Sequence, residues 1–281
     1  MIEYIIIAIL QGLIEWLPIS SSGQVMIVAI NFFGISPEEA FSLSIWLHLG
    51  TAFAVILKFR SEFVKIMETF FPKTENISEI DIKRRNWLIF ATIGTAITAL
   101  PLYFLFKVLL ITEFSGRQGD IITLVISGSL IITGMILLKT KKSYGDNDLG
   151  QKKEINLKKD ALMSGLVQGI AILPGISRSG MTISAILLKN YDQDTALRLS
   201  FLMSVPAVFA SIFVDIIFGE GSVFALLEPL TIIIITLVSF VVGYLTLEIL
   251  LKLAKKVNFG YFCIIYGMIA FVIIVPFLLV A

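Results

Sequence analysis

The chain has 281 residues, of which 57% are hydrophobic and only 15% are Asp, Glu, Lys or Arg. Soluble globular domains carry roughly 25% charged residues, so this composition excludes an ordinary soluble fold. The formal net charge of +1 argues against nucleic-acid binding, which needs a concentrated basic surface. The N-terminus has no basic region and no small-residue cleavage site, so we expect no cleaved signal peptide. The composition predicts an all-α polytopic membrane protein.

Two apolar segments, at 2–34 and 160–190, are each interrupted near the middle by a cluster of Pro, Gly and Ser. The first interruption is Pro18-Ile-Ser-Ser-Ser-Gly23 and the second is Pro174-Gly-Ile-Ser-Arg-Ser-Gly180. Each half is shorter than the roughly 20 residues that cross a bilayer as a helix. Irregular backbone at membrane depth is tolerated only where it is buried in protein or lines a cavity. We therefore predict two re-entrant helix–loop–helix hairpins.

Six further apolar stretches are long enough to be complete transmembrane helices. They lie at 40–57, 86–106, 121–138, 195–218, 228–251 and 258–280. With the two hairpins they form a single transmembrane domain over 1–281. Its first repeat covers about 1–138, a cytoplasmic linker covers 139–159, and its second repeat covers about 160–281.

The basic residues indicate how the chain is oriented. If neither hairpin crosses the membrane, 19 of the 22 Lys and Arg fall on one face, in loops at 58–85, 139–159, 189–198 and 252–257. The opposite face has only Lys107 and Arg117, and Arg178 lies in the second hairpin. This asymmetry is the positive-inside pattern. It predicts a multi-pass plasma-membrane protein with both termini outside, the first hairpin entering from outside and the second from the cytoplasm.

The two interrupted segments resemble each other in sequence. Both contain Gln-Gly, Leu-Pro, Ile-Ser and Ser-Gly in the same order, and Gln11 and Gln168 are 157 positions apart. Chance matching of small and apolar residues is the alternative to duplication. Three predicted spans, an odd number, separate equivalent points, so the two copies must have opposite orientations. Inverted repeats with broken helices place their functional site near the bilayer midplane.

Glu15 and Arg178 are the ionisable residues nearest the two breaks. A charge in the bilayer interior costs at least ~2.5–3.5 kcal/mol and is usually functional or paired. One interpretation is a structural ion pair that joins the hairpins. The other is a phosphate site, because half-helices beginning near Ser22 and Ser179 present N-termini that bind anions, and the Arg fork binds phosphate oxygens. Glu15 then indicates a divalent-metal ligand or a general base.

These two stretches resemble the undecaprenyl-diphosphate phosphatase family linked to bacitracin resistance. The family pattern is Glu/Gln-x-x-x-Glu before a Ser-rich turn, then Pro-Gly-x-Ser-Arg-Ser-x-x-Thr. Gln11 to Glu15 and Pro174 to Thr182 match it in order, and the resemblance covers essentially the whole chain. It implies an integral membrane enzyme that removes one phosphate from a polyprenyl diphosphate and so recycles the lipid carrier for cell-envelope glycan synthesis. It also implies a divalent cation, Mg²⁺ or Ca²⁺, and a site open to the outer leaflet.

The resemblance also implies roles for single residues. Glu15 is the second acidic position, Ser21 is the proposed nucleophile, and Arg178 binds phosphate; an attacking water activated by Glu15 stays open as the alternative to Ser21. The remaining polar residues of the tips are assigned to phosphate binding: Gln11, Ser20, Ser22, Gln24, Ser177, Ser179 and Thr182.

Two positions depart from the family pattern. Gln11 stands where many members have Glu, and Gln24 stands where bacterial members usually carry His, so a histidine-based mechanism does not transfer. The lone histidine, His48, aligns with Ser204 at the 156-residue shift that relates the following spans, and both lie in complete spans. His48 is either a hydrogen-bonded residue of the helix bundle or part of the site. We expect Asp215, near the outer end of its span, to be solvated or to cap a helix. Glycines in the spans predict close helix packing or a homodimer face.

The same features admit two other functions. A transporter or flippase for a polyprenyl phosphate is the main alternative, since broken helices in inverted repeats are typical of transporters. A purely structural membrane protein would leave Glu15 and Arg178 unexplained.

Overall fold

The computed structural model is built of helices. The structure describes residues 1–71, 77–111, 118–140, 148–151, 153–218 and 222–256, and beyond these 261, 263–265, 267–269 and 271–272. The helices in chain order are α1 (Ile2–Ile14), α2 (Ser21–Phe33), α3 (Pro37–Lys58), α4 (Arg60–Glu68), α5 (Glu79–Ile111), α6 (Gln118–Thr140), α7 (Glu154–Ile170), α8 (Arg178–Leu187), α9 (Gln193–Phe218), α10 (Val223–Leu226) and α11 (Pro229–Lys256).

Five of the described helices, α3, α5, α6, α9 and α11, are long and apolar enough to cross a membrane. They coincide with the first five predicted spans and confirm a multi-pass membrane protein. The sixth predicted span, 258–280, lies largely outside the described residues.

The helix α5 begins seven residues before the apolar stretch that predicted it. Its added turns are charged, and they stay helical because their side chains pair along the helix. Lys83 Nζ lies 2.9 Å from Glu79 Oε1, and Arg84 contacts Asp81 at 2.9 Å. Hydropathy marks only the membrane-spanning part of such a helix.

Both interrupted segments are broken helices, and their breaks are built alike. The first break separates α1 from α2, and the second separates α7 from α8. Ser20 caps α2 by accepting a hydrogen bond from Gly23 N–H at 3.4 Å, and Ser177 caps α8 by accepting one from Gly180 N–H at 3.1 Å. A serine hydroxyl at this position satisfies an N–H that the helix leaves without a partner. The matching caps support the predicted duplication.

In each predicted repeat, the first helix of the broken hairpin packs against a long helix of the other repeat. The first broken helix, α1, packs on α11 of the second repeat, and α7 packs on α5 of the first. Equivalent glycines allow both approaches: a Cβ on Gly12 would lie 2.8 Å from Val242 Cβ, and a Cβ on Gly169 would lie 2.6 Å from the Thr95 carbonyl oxygen. This exchange brings the tips of both hairpins to the middle of the bundle.

Two of the span glycines pack within the chain. A Cβ on Gly243 would lie 3.1 Å from Thr51, and one on Gly267 would lie 2.8 Å from the Ser127 carbonyl oxygen. Both contacts fit the predicted close helix packing. A homodimer face stays a prediction.

Candidate active site

The tips of the two hairpins are in direct contact. Ser20 Oγ accepts a hydrogen bond from Gly175 N–H at 3.0 Å, and the Gly175 carbonyl accepts one from Thr133 Oγ1 of α6 at 3.0 Å. Gly175 has a φ of +94°, and a Cβ there would lie 2.5 Å from the Ile126 carbonyl oxygen. Glycine avoids both the strain and the clash. The junction therefore fixes the two serine-rich loops relative to each other.

Glu15 lies at this junction and is only 5% exposed. Its Oε1 accepts a hydrogen bond from the Arg178 guanidinium. Its Oε2 accepts hydrogen bonds from Ser21 Oγ at 2.6 Å and from Gln11 Nε2 at 2.8 Å. His48 Nε2 lies 3.2 Å from the same oxygen. The ion pair considered from the sequence is present, and it sits inside a larger polar cluster.

Arg178 is the first residue of α8, and its side chain is 18% exposed. Its Nε is buried without a hydrogen-bond partner among the described residues. Unpaired buried donors are rare because each costs a desolvation penalty. The guanidinium therefore keeps donor capacity that an incoming anion can satisfy.

A cavity of about 240 Å³ opens from the cluster. Its polar end is lined by Glu15, Ser20, Ser21, Ser22, His48, Ser177, Arg178 and Ser179. Its other end is an apolar arm between α5 and α9, lined among others by Ala96, Leu100, Ala210, Phe213 and Val214. A polar head joined to an apolar arm fits an amphiphile with an anionic headgroup.

Three residues assigned to phosphate binding are not among those that line the cavity. Gln11 is fully buried and binds Glu15. The Gln24 side chain donates to the Ile19 carbonyl at 3.4 Å, and Thr182 Oγ1 lies 2.5 Å from Ser200 Oγ. As placed, all three hold the tips in position, and their direct contact with phosphate stays a prediction.

Two further residues line the cavity: His48, whose role the sequence left open, and Gln168, which had no predicted role in the site. His48 reaches Glu15 from α3, although its repeat partner, Ser204, is an ordinary residue of a complete span. The sequence contained a signal for this contact, because a histidine in an apolar span is costly unless it has a polar or charged partner. Gln168 lines the wall and donates to Thr95 Oγ1 at 3.0 Å.

The prediction of a solvated Asp215 is wrong. Its side chain is buried, with only 4% of the residue exposed. It accepts hydrogen bonds from Ser42 Oγ at 2.6 Å, Tyr103 OH at 3.0 Å and Ser222 Oγ at 3.2 Å. Its position near the end of the span suggested hydration by water, but three hydroxyl groups satisfy the carboxylate instead. Tyr103, one of these three donors, also lines the cavity.

The donor set at the junction does not form a divalent-metal site by itself. The described residues contain no group of three or more His, Cys, Asp or Glu placed to hold a metal ion. Among the residues lining the cavity, Glu15 is the sole carboxylate, and both its oxygens are already engaged. Mg²⁺ sites usually combine one or two carboxylates with substrate phosphates. The described residues alone therefore do not supply a complete ligand set for a divalent cation.

Comparison with known proteins decides the family. The model of the bacitracin resistance protein BacA family matches residues 4–272. The chain belongs to this family. The match covers both hairpins and all five described spans, so the BacA relationship extends over the whole site.

Relatives of known name agree with this membership. Proteins named undecaprenyl-diphosphatase from Methanothrix thermoacetophila and Methanococcoides burtonii are 38% and 39% identical to this BacA-family chain over 273 residues. Each alignment covers 95% of this chain, and the alignments cover 94% and 96% of the lengths of the two relatives, respectively. A third, from Desulforapulum autotrophicum, is 36% identical over 285 residues and covers 95% of this chain and 96% of its own.

Proposed function

We propose that the chain is an integral membrane phosphatase that hydrolyses undecaprenyl diphosphate to the monophosphate and phosphate. The carrying observation is the buried cluster of Glu15, Ser21 and Arg178, which opens into a cavity with an apolar arm. BacA-family membership and the name shared by the relatives support the same reaction. The anion end matches a diphosphate, and the arm matches the start of an isoprenoid chain.

The chemistry follows from where charge develops. Phosphoryl transfer depends mainly on positioning and on stabilising the charge of the transition state. Arg178 and the N-termini of α2 and α8 supply fixed donors at the polar end. Diphosphate oxygens compete with Glu15 for the guanidinium, and Arg178 Nε, which is buried and unpaired, becomes a further donor if the side chain turns toward them. Once Arg178 binds phosphate, the Glu15 carboxylate is free to accept a proton.

Ser21 is the proposed nucleophile. Its Oγ already donates to Glu15 Oε2 at 2.6 Å, the geometry in which a carboxylate accepts the hydroxyl proton as oxygen attacks phosphorus. The new Ser21 Oγ–P bond replaces the bond to the lipid phosphate, which leaves as the monophosphate. Water then hydrolyses the phosphoserine. A water activated directly by Glu15 is the alternative.

We expect Ser21→Ala to lower kcat by at least about 10³-fold, because loss of a covalent nucleophile leaves only binding and electrostatic stabilisation. Phosphate release from purified protein measures this, and acid quench of the wild type with labelled substrate should trap phosphoserine. Ser204→Ala is the matched control, since Ser204 Oγ is bonded to the Phe201 carbonyl away from the cavity. Near-wild-type activity in Ser21→Ala would instead assign the attack to water.

The apolar arm accounts for the lipid tail. Ala96, Leu100, Ala210 and Phe213 line the arm and are also exposed on the outside of the bundle, so the arm opens sideways between α5 and α9. A tail in this opening would reach lipid while the headgroup stays at the junction.

We expect Ala210→Trp to lower kcat/KM for undecaprenyl diphosphate by about tenfold, the loss from excluding roughly two methylene groups. A diphosphate with a short prenyl chain, assayed in detergent, should be affected less because it does not fill the arm. Ala225→Trp on α10, exposed and away from the cavity, is the control. An equal loss for both substrates would contradict this route for the tail.

The orientation of the site is part of the proposal. The cavity contacts the C-terminal parts of α5 and α9 and the N-terminal part of α3, which the basic-loop asymmetry assigns to the outer side. This position supports a site open to the outer leaflet. Both termini outside, and six spans with two re-entrant hairpins, are parts of the same proposal that rest on the basic-loop asymmetry.

The divalent cation is proposed to come with the substrate. Its phosphates would complete the ligand set to which the described residues of the site contribute Glu15, and Mg²⁺ or Ca²⁺ would add charge neutralisation. We expect a chelator to lower phosphate release from undecaprenyl diphosphate, and either cation to restore it. Full activity in chelator would remove the cation from the proposal. Failure of the wild-type protein to release phosphate with or without cation would overturn the proposed function.

A further inference from the structure

His48 is held in one orientation by its own helix. Its Nδ1 lies 2.5 Å from the Ser44 carbonyl oxygen, one turn back along α3. A carbonyl only accepts hydrogen bonds, so Nδ1 carries a proton. The ring position is therefore set by α3 and does not depend on what its second nitrogen contacts.

That second nitrogen faces the carboxylate of the site. His48 Nε2 lies 3.2 Å from Glu15 Oε2, the oxygen that also accepts from Ser21. An ionised carboxylate also only accepts, so this contact is a hydrogen bond when Nε2 is the donor. His48 then donates to Oε2, and Arg178 donates to the opposite oxygen, Oε1.

Substrate affects these two partners of Glu15 differently. Arg178 has unused donor capacity and faces the cavity, so phosphate oxygens draw it from Glu15. His48 has both nitrogens engaged and is fixed by Ser44. When Arg178 turns to the diphosphate, His48 is the partner that stays with Glu15.

We propose that His48 is a positioning residue of the phosphatase reaction. Its Nε2–H holds Glu15 Oε2 within hydrogen-bond reach of Ser21 after Arg178 has moved to the substrate. The inference rests on the proposed function, and it assigns a role to the one histidine of the chain.

The test compares two variants that differ in one donor. His48→Phe keeps a planar ring without a donor, and His48→Gln restores an N–H near the position of Nε2. We expect His48→Phe to lower kcat for undecaprenyl diphosphate by about 100-fold, the scale of a misplaced catalytic group, with KM within about threefold. His48→Gln should recover at least about tenfold of that loss.

Trp46→Phe is the matched control. Trp46 lies on the same helix and donates to Thr236 Oγ1 at 2.9 Å, away from the cavity, so its loss loosens α3 without touching Glu15. We expect its kcat to stay near that of the wild type. Wild-type kcat in His48→Phe, equal losses in the Phe and Gln variants, or a similar loss in Trp46→Phe would overturn the proposal.

A measurement on the wild type covers the case in which His48→Phe does not fold. With a tag free of histidine, ¹⁵N-histidine labelling reports a single ring, since the chain contains one histidine. We expect proton-bearing signals from both ring nitrogens, retained when a methylene-bridged analogue of the lipid diphosphate binds. An unprotonated Nε2 in either state would overturn the proposal. Loss of activity in the wild type itself would instead count against the proposed function.

Discussion

Arg178→Ala should lower phosphate release from undecaprenyl diphosphate by about 10³-fold or more, the scale found when an arginine that stabilises a transferring phosphoryl group is removed. The Arg178 guanidinium joins the two hairpin tips and lines the polar end of the cavity. No neighbour on the cavity replaces its paired donors. Steady-state assays of purified protein in detergent measure the loss.

Two variants separate this effect from a general loss of positive charge. Arg178→Lys keeps the charge but loses the planar fork, so it should recover only part of the activity. Arg198→Ala removes an exposed arginine that pairs with Glu62 and Asp194 outside the cavity, and it should stay within about twofold of wild type, as surface ion pairs contribute little. Full activity in Arg178→Ala would refute the site.

Glu15→Gln should lower kcat by about 10²–10⁴-fold, the contribution of a positioned acid–base group. The amide keeps the volume and a carbonyl oxygen for Ser21, but it cannot take the proton. It also leaves Arg178 without its counter-charge, so we expect a lower free energy of unfolding. Glu248→Gln, which alters an exposed carboxylate 3.3 Å from Lys58 Nζ, is the control.

The double variant Glu15→Gln, Arg178→Ala tests whether the ion pair is only structural. Breaking one side of a buried pair strands the other charge, whereas removing both relieves that cost. We expect the double variant to be more stable to heat than Arg178→Ala and still inactive. A double variant that recovered activity along with stability would show that the pair serves the fold alone.

The broken helices and the central pair were predictable because their signals are local. Pro18 and Pro174 sit among small polar residues in apolar segments, which marks the breaks. Glu15 and Arg178 stand out because charge is expensive at membrane depth. The structure brings both together with Ser21, as the family resemblance implies.

The remaining features depend on tertiary contacts that a single sequence does not encode locally. The packing of α1 on α11 and of α7 on α5 depends on which helix faces each glycine, and an apolar pattern does not specify that helix. His48 reaches Glu15 because α3 passes beside the first tip, although the repeat alignment paired it with Ser204. Asp215 is buried because three hydroxyls converge on it from other elements.

Proteoliposomes carrying the purified wild-type protein and labelled undecaprenyl diphosphate test the central claim most directly, with released phosphate and transbilayer lipid measured in the same sample. If the two hairpin tips form a phosphoryl-transfer site, one phosphate and one lipid monophosphate appear for each diphosphate consumed. Neither product should form in Arg178→Ala at a comparable rate. Movement of intact lipid diphosphate across the bilayer without phosphate release would contradict the central claim and indicate a transporter.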